Sequence, residues 1–176
     1  ATMDAGRMSR SRIVTAVERA VRDLHPGFAC RVFNLSYGDL NKVYAGGHVR
    51  GLAYTLDRLT RELGVMFVVS TGNLLPAGLP DDPLASFPDY LLEDSARLVD
   101  PATALNAVTV GGVARHEATR GQQQRPELIE DRPIARTGHP FPLTRSGPSI
   151  NGAIKPDFVE HAGNLAVVRL TGRTTY

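Results

Sequence analysis

Position 73 is where the chain mounts a reactive group most firmly. Asn73 follows Gly72 closely after the apolar run VMFVVS, Val65–Ser70. Such a run reads as a buried strand, and glycine lets the backbone turn sharply behind it. A carboxamide held there has two readings. It can simply stabilise the turn, as asparagine often does. It can also donate N–H to an oxygen that gains negative charge during acyl transfer, with little reorganisation. The local residues leave both readings open.

The other reactive side chains are plainer. Cys30 is the only cysteine, so no disulfide can form within the chain. It opens the strand-like CRVFNLS and is expected to be a buried, inert thiol. Ser146, in TRSGP, lacks the G-x-S-x-G setting of a nucleophile elbow and is read as structural. His25, His48, His116, His139 and His161 show no metal-ligand spacing and are assigned to the surface or to loops. His25 falls at a helix end, where a cation is mildly favoured. The acids from Asp81 to Asp100 lack a D-x-D-x-D loop, so a solvated acidic loop is expected, with structural calcium as the alternative. Lys155, Pro156 and Asp157 read as a turn in which Asp157 pairs locally.

The elements that must hold these groups follow from periodicity. Ser9 or Ser11 can cap a helix carrying Ile13, Val17, Ala20 and Leu24 on one face, stopped at His25–Gly27. Cys30–Ser36 is nearly continuous in apolar character and predicts a strand buried on both faces. After a loop with Gly38, Gly46 and Gly47, a second helix aligns Val49, Leu52, Leu56, Leu59 and Leu63 and ends at Gly64. Val65–Ser70 follows. Helix, strand, helix, strand predicts an α/β fold with a parallel sheet covered by helices. Residues 74–100 read as a long loop with one helical turn near Leu91–Leu98. Asn106–Val113 is a third strand, 114–140 a surface loop, Asn151-Gly152 a tight turn and Asn164–Leu170 the last strand.

Composition bounds the partners. The chain has 176 residues, enough for one domain with a real core. A net charge of +2 and 6% aromatic residues argue against nucleic acid. No apolar run approaches the roughly 18 residues of a membrane helix, and the opening ATMDAGRMSR has no apolar signal core. Cytoplasmic and secreted locations both stay open. A nucleotide-binding α/β domain is disfavoured, because no G-x-G-x-x-G or G-x-x-x-x-G-K occurs.

Three segments, in this order, resemble the subtilase family. They are VFNLSYG (Val32–Gly38) with GVMFVVSTGN (Gly64–Asn73), then DPATALNAVTVGGV (Asp100–Val113), then TRSGPSINGAIKPDFVEHAGN (Thr144–Asn164). The resemblance implies a three-layer α/β/α fold with a mostly parallel sheet, subtilisin-like but incomplete. It makes residues 1–176 a partial peptidase domain lying between the catalytic His and Ser segments, with TGRTTY similar to the lead-in of the Ser turn. It implies that Asn73 is the oxyanion donor. It makes Ser36, Tyr37 and Gly38 the strand that pairs with an extended substrate, and Ser70, Thr71 and Gly72 the facing wall of the main specificity pocket. The partner is then a polypeptide substrate. The chain alone is expected to be inactive and prone to dimerise through exposed sheet edges. A triad-less module that grips peptides without cutting them is the alternative. The sequence departs from the family at Glu160-His161, commonly Ala-Pro, at Thr144-Arg145, commonly serines, and in a longer loop over Leu74–Leu98.

Overall fold

A computed structural model of the chain describes residues 10–117, 131–168 and 173–175. The described chain opens on helix α1 (Arg10–Phe28), followed by strands β1 (Val32–Leu35) and β2 (Asp39–Val43), helix α2 (Gly51–Leu63) and strand β3 (Met66–Ser70). A short helix α3 (Pro83–Ser86) precedes β4 (Val99–Asp100) and β5 (Val108–Ala114). The chain continues through β6 (Asp131–Pro133), β7 (Phe158–Ala162), β8 (Ala166–Val168) and β9 (Arg173–Thr175). The main sheet has four strands in the order β1-β3-β5-β7, and every pairing is parallel. This is the expected α/β architecture. β2 pairs with β4, and β6-β8-β9 form a third sheet, both antiparallel.

The two long helices pack on one face of the main sheet. Val21 of α1 and Leu52, Leu56 and Leu59 of α2 are buried with Phe67 and Val69 of β3, and Phe33 and Leu35 of β1 pack against them. The opposite face differs from the expectation of two-sided burial. The register partners Val32 and Met66 are 59% and 46% exposed, and Phe158 of β7 is 65% exposed. Alternate strand residues point to opposite faces, and the described helices cover only one of them. Runs that look continuous in the sequence therefore alternate in the fold. Cys30 is half-buried rather than buried, for it lies ahead of β1 at the sheet's edge.

Helix ends show local and distant control. Gly64 closes α2 in the left-handed region (φ 64°), its N–H donating to the Thr60 carbonyl, as expected. α1 runs past the predicted stop. Pro26 forfeits one bond within the last turn, and the chain reverses only at Ala29, φ 53°. The start of α2 has no local capping side chain, because Arg50 makes no cap bond. Buried Asp100 supplies it from across the fold, accepting from the N–H groups of Leu52 (3.2 Å) and Ala53 (2.8 Å) and from Lys42 Nζ (2.8 Å). So Asp100 is not part of a solvated acidic loop. Asp82, another of those acids, caps α3 by accepting from Ala85 N–H at 3.0 Å.

The segments read as long loops are partly core. Leu74, Tyr90, Leu91, Phe141, Leu143 and Leu165 are buried together, and the Tyr90 hydroxyl donates to the Pro142 carbonyl at 2.8 Å. That burial raises the Tyr90 pKa above its ordinary value. Residues 118–130 of the expected surface loop lie outside the described residues, as do Ser9 and residues 169–170 of the last strand.

At the N-terminal edge of the sheet, Lys155 is buried. Its ammonium donates to the Ala107 carbonyl and to Asp157 Oδ2, both at 2.7 Å. The same carboxylate oxygen accepts from Thr109 N–H at 2.6 Å, which ties the entry to β7 onto β5. The local pairing expected of Asp157 is present.

Candidate active site

In open parallel sheets, sites form beyond the C-terminal ends of the strands. β1 and β3 pair in register up to Leu35 and Val69, and Ser70 still pairs with Val110 of β5, so Ser36–Gly38 and Thr71–Asn73 leave the sheet side by side. A Cβ built on Gly38 would lie 2.9 Å from Val99 Cγ2 and 3.8 Å from Gly72 Cα. A Cβ on Gly72 would lie 2.6 Å from the same Val99 methyl. The two glycines therefore face each other across one buried valine. Gly72 also sits at φ 84°, a conformation that side chains resist.

The structure thus brings the expected site segments together. Ser36, Tyr37, Ser70 and Asn73 are exposed, and Gly38 and Gly72 are half-buried. Thr71 is the exception among them. It is buried, and its hydroxyl lies 3.4 Å from that of Thr144, so it offers backbone rather than side chain to any cleft.

The backbone of the Asn73 turn is tied down from several sides. Thr71 N–H donates to the Val110 carbonyl at 3.0 Å, and Leu74 N–H to the Leu143 carbonyl at 2.8 Å. Asn73 and Thr144 form an antiparallel bridge, and Thr144 Oγ1 accepts from Gly112 N–H at 3.1 Å. Arg145 Nε donates to the Asn73 carbonyl at 3.1 Å. The Asn73 carboxamide itself has no hydrogen bond among the described residues. An exposed amide on a fixed backbone can donate to an incoming group without first breaking an internal bond.

Sequence reasoning singled out Arg145 as a departure but assigned it no role, and it missed Val99. Arg145 is 5% exposed and also donates, through Nη1, to the carbonyls of Ser95 (2.8 Å) and Arg97 (2.9 Å). Burial pushes its guanidinium down from the ordinary value. No local pattern could have revealed either residue, because their partners are far away in sequence.

The remaining candidates have other roles. Ser146 Oγ donates to the Leu91 carbonyl at 3.1 Å, consistent with a structural serine. His25 Nδ1 lies 3.0 Å from the Cys30 carbonyl and closes the end of α1. Among the described residues, no group of three or more His, Cys, Asp or Glu side chains could hold a metal ion. Among them, no helix is long and apolar enough to cross a membrane. A depression of about 750 Å³ beside α2 is lined by His48, Tyr54, Asp57, Arg58 and Glu62. Its charges are largely committed: Arg58 pairs with Glu62, and Asp57 accepts from the amides of Leu105 and Asn106.

Comparison with known proteins bears on this geometry. An uncharacterised protein of Sinorhizobium fredii, y4bN, is 38% identical over 162 residues, covering 89% of this chain. The chain spans 37% of that relative's length. A solved structure described as the prenylagaramide maturation protease PagA aligns over 99% of this chain and 44% of its own, at 16% identity and a TM-score of 0.47. The family model described as "Subtilase family" matches residues 1–176, and the chain belongs to that family of serine peptidases.

Proposed function

We propose that the parent of this chain is a serine endopeptidase that cleaves peptide bonds through an acyl-enzyme, and that these residues supply its oxyanion donor and substrate-binding strands. The catalytic Asp, His and Ser then lie on parts of the parent outside the chain, which alone is inactive. One observation carries the reading. The exposed Asn73 carboxamide stands beyond the C-terminal end of a central parallel strand, beside the neighbouring Ser36–Gly38 segment. In that place a preformed N–H donor meets the carbonyl oxygen of a peptide lying along Ser36–Gly38. It stabilises that oxygen most when it becomes an anion, so the interaction acts on turnover rather than on binding.

Ser36, Tyr37 and Gly38 would pair with the substrate backbone, and Ser70, Thr71 and Gly72 would form the opposite wall. Val99 lies against both glycines and limits the depth between the walls. This favours a small side chain before the scissile bond.

Replacing Asn73 with Leu in the intact parent tests the assignment. We expect kcat to fall by about 10²–10³ with KM nearly unchanged, a size carried over from the known case of a subtilisin asparagine. An unchanged kcat would remove Asn73 from the mechanism. A parent that binds peptides tightly and never cuts them would favour the triad-less module instead.

A further inference from the structure

We propose that Arg145 is a positioning residue for Asn73: its guanidinium fastens the Gly72–Asn73 turn so that the carboxamide is presented in one direction. This rests on the peptidase reading above.

The starting observation is an uncompensated charge. Arg145 is 5% exposed, yet no carboxylate pairs with it among the described residues. An isolated buried cation is costly unless its donors are satisfied. Here the donors are aimed at backbone. Nε serves Asn73, and Nη1 serves both Ser95 and Arg97. Those carbonyls belong to segments some 72 and 50 residues away in sequence, so one side chain joins three stretches of chain.

The fork geometry matters. A guanidinium holds its N–H groups in one plane at fixed angles, so anchoring Nη1 on Ser95 and Arg97 also sets the direction of Nε toward Asn73. The aliphatic part of the side chain adds contact. Arg145 Cδ lies 3.4 Å from where a Cβ on Gly72 would stand. Because no hydrogen bond holds the Asn73 carboxamide among the described residues, its aim depends on the backbone beneath it. Arg145 holds the carbonyl of that same residue.

The test separates positioning from plain stability. In the full-length parent, Arg145→Met is expected to lower kcat about 10–100-fold while KM moves less than about threefold. In an Asn73→Leu background the same change should lower kcat by less than about twofold, because the group it positions is already gone. An equal loss in both backgrounds would overturn the proposal, as would no loss in either. Arg145→Lys keeps the charge without the fork and should fall between wild type and Met, which serves if the Met variant does not fold. If the parent shows no peptidase activity, the function proposed above fails, and the positioning claim is then read from NMR of the same protein. Arg145→Met or Arg145→Lys should shift the Asn73 side-chain amide signals and weaken exchange protection of the Leu74 N–H. Unchanged signals and protection would overturn it.

Discussion

Two buried cations stand at opposite edges of the main sheet, and they are solved differently. Lys155, at the N-terminal edge, meets the carboxylate of Asp157 at 2.7 Å. Arg145, beyond the C-terminal edge, meets only carbonyls among the described residues. The Lys155 ammonium joins the Ala107 carbonyl and the Asp157 carboxylate, and its removal would leave that buried carbonyl without a donor. The Arg145 guanidinium has no counterion among the described residues and holds the backbone carbonyl beneath an exposed carboxamide. The two edges therefore differ: Lys155 and Asp157 tie the entry of β7 to β5, whereas Arg145 reaches the backbone of the Asn73 turn, which under the proposal above it holds in one orientation.

Substitutions at each edge separate stability from turnover. The largest effect is expected from Lys155→Met, which leaves the buried Ala107 carbonyl without its donor, while the exposed Asp157 keeps its bond from Thr109 N–H. It should cost about 3 kcal/mol in chemical denaturation, with kcat of the folded parent unchanged. A loss of kcat without a loss of stability would erase the distinction between the edges.

Gly72→Ala comes next, because the new Cβ meets Val99 at 2.6 Å in a conformation at φ 84°. It should cost about 2–3 kcal/mol and, unlike Lys155→Met, lower kcat as the turn is displaced. Val99→Ala opens space between Gly38 and Gly72. The ratio of kcat/KM for a large over a small residue before the scissile bond should rise roughly tenfold. Peptide-library cleavage before and after the substitution reads that ratio directly.

The smallest effect belongs to the helix-covered face. Glu18 and Glu62 of α1 and α2 pair with Arg22 and Arg58, and these partners hold both carboxyls below their ordinary values. The sign follows from linkage. A depressed folded pKa gives stability that is whole above the ordinary carboxylate value and lost as pH falls through the folded one. Exposed pairs of this kind contribute little and are screened by salt. Arg22→Gln with Arg58→Gln should therefore shift the melting temperature slightly at neutral pH and low salt, and not at all in strong acid.

Much of the sheet was legible because β1, β3 and β5 are apolar runs punctuated by glycine, and α2 ends at a glycine that turns left-handed. The strand β7 was hidden. Its residues FVEHA lie at the sheet edge, four of the five exposed, so no apolar alternation marks them. The cap on α2 was hidden too, because Asp100 reaches it from 47 residues away. The turn at Asn73 was legible as a motif, yet the groups that brace it were not. Val99 reads as one valine in a proline-rich stretch, and Arg145 as one arginine in a loop. Their meaning lies in contacts that only folding creates.

A structure of the intact parent bound to a peptide boronic acid, which forms a tetrahedral oxyanion mimic, would measure the distance on which the oxyanion assignment rests. Asn73 Nδ2 is expected within about 2.7–3.1 Å of the tetrahedral oxygen. A carboxamide turned away from that oxygen, with the oxygen held by other donors, would contradict the assignment.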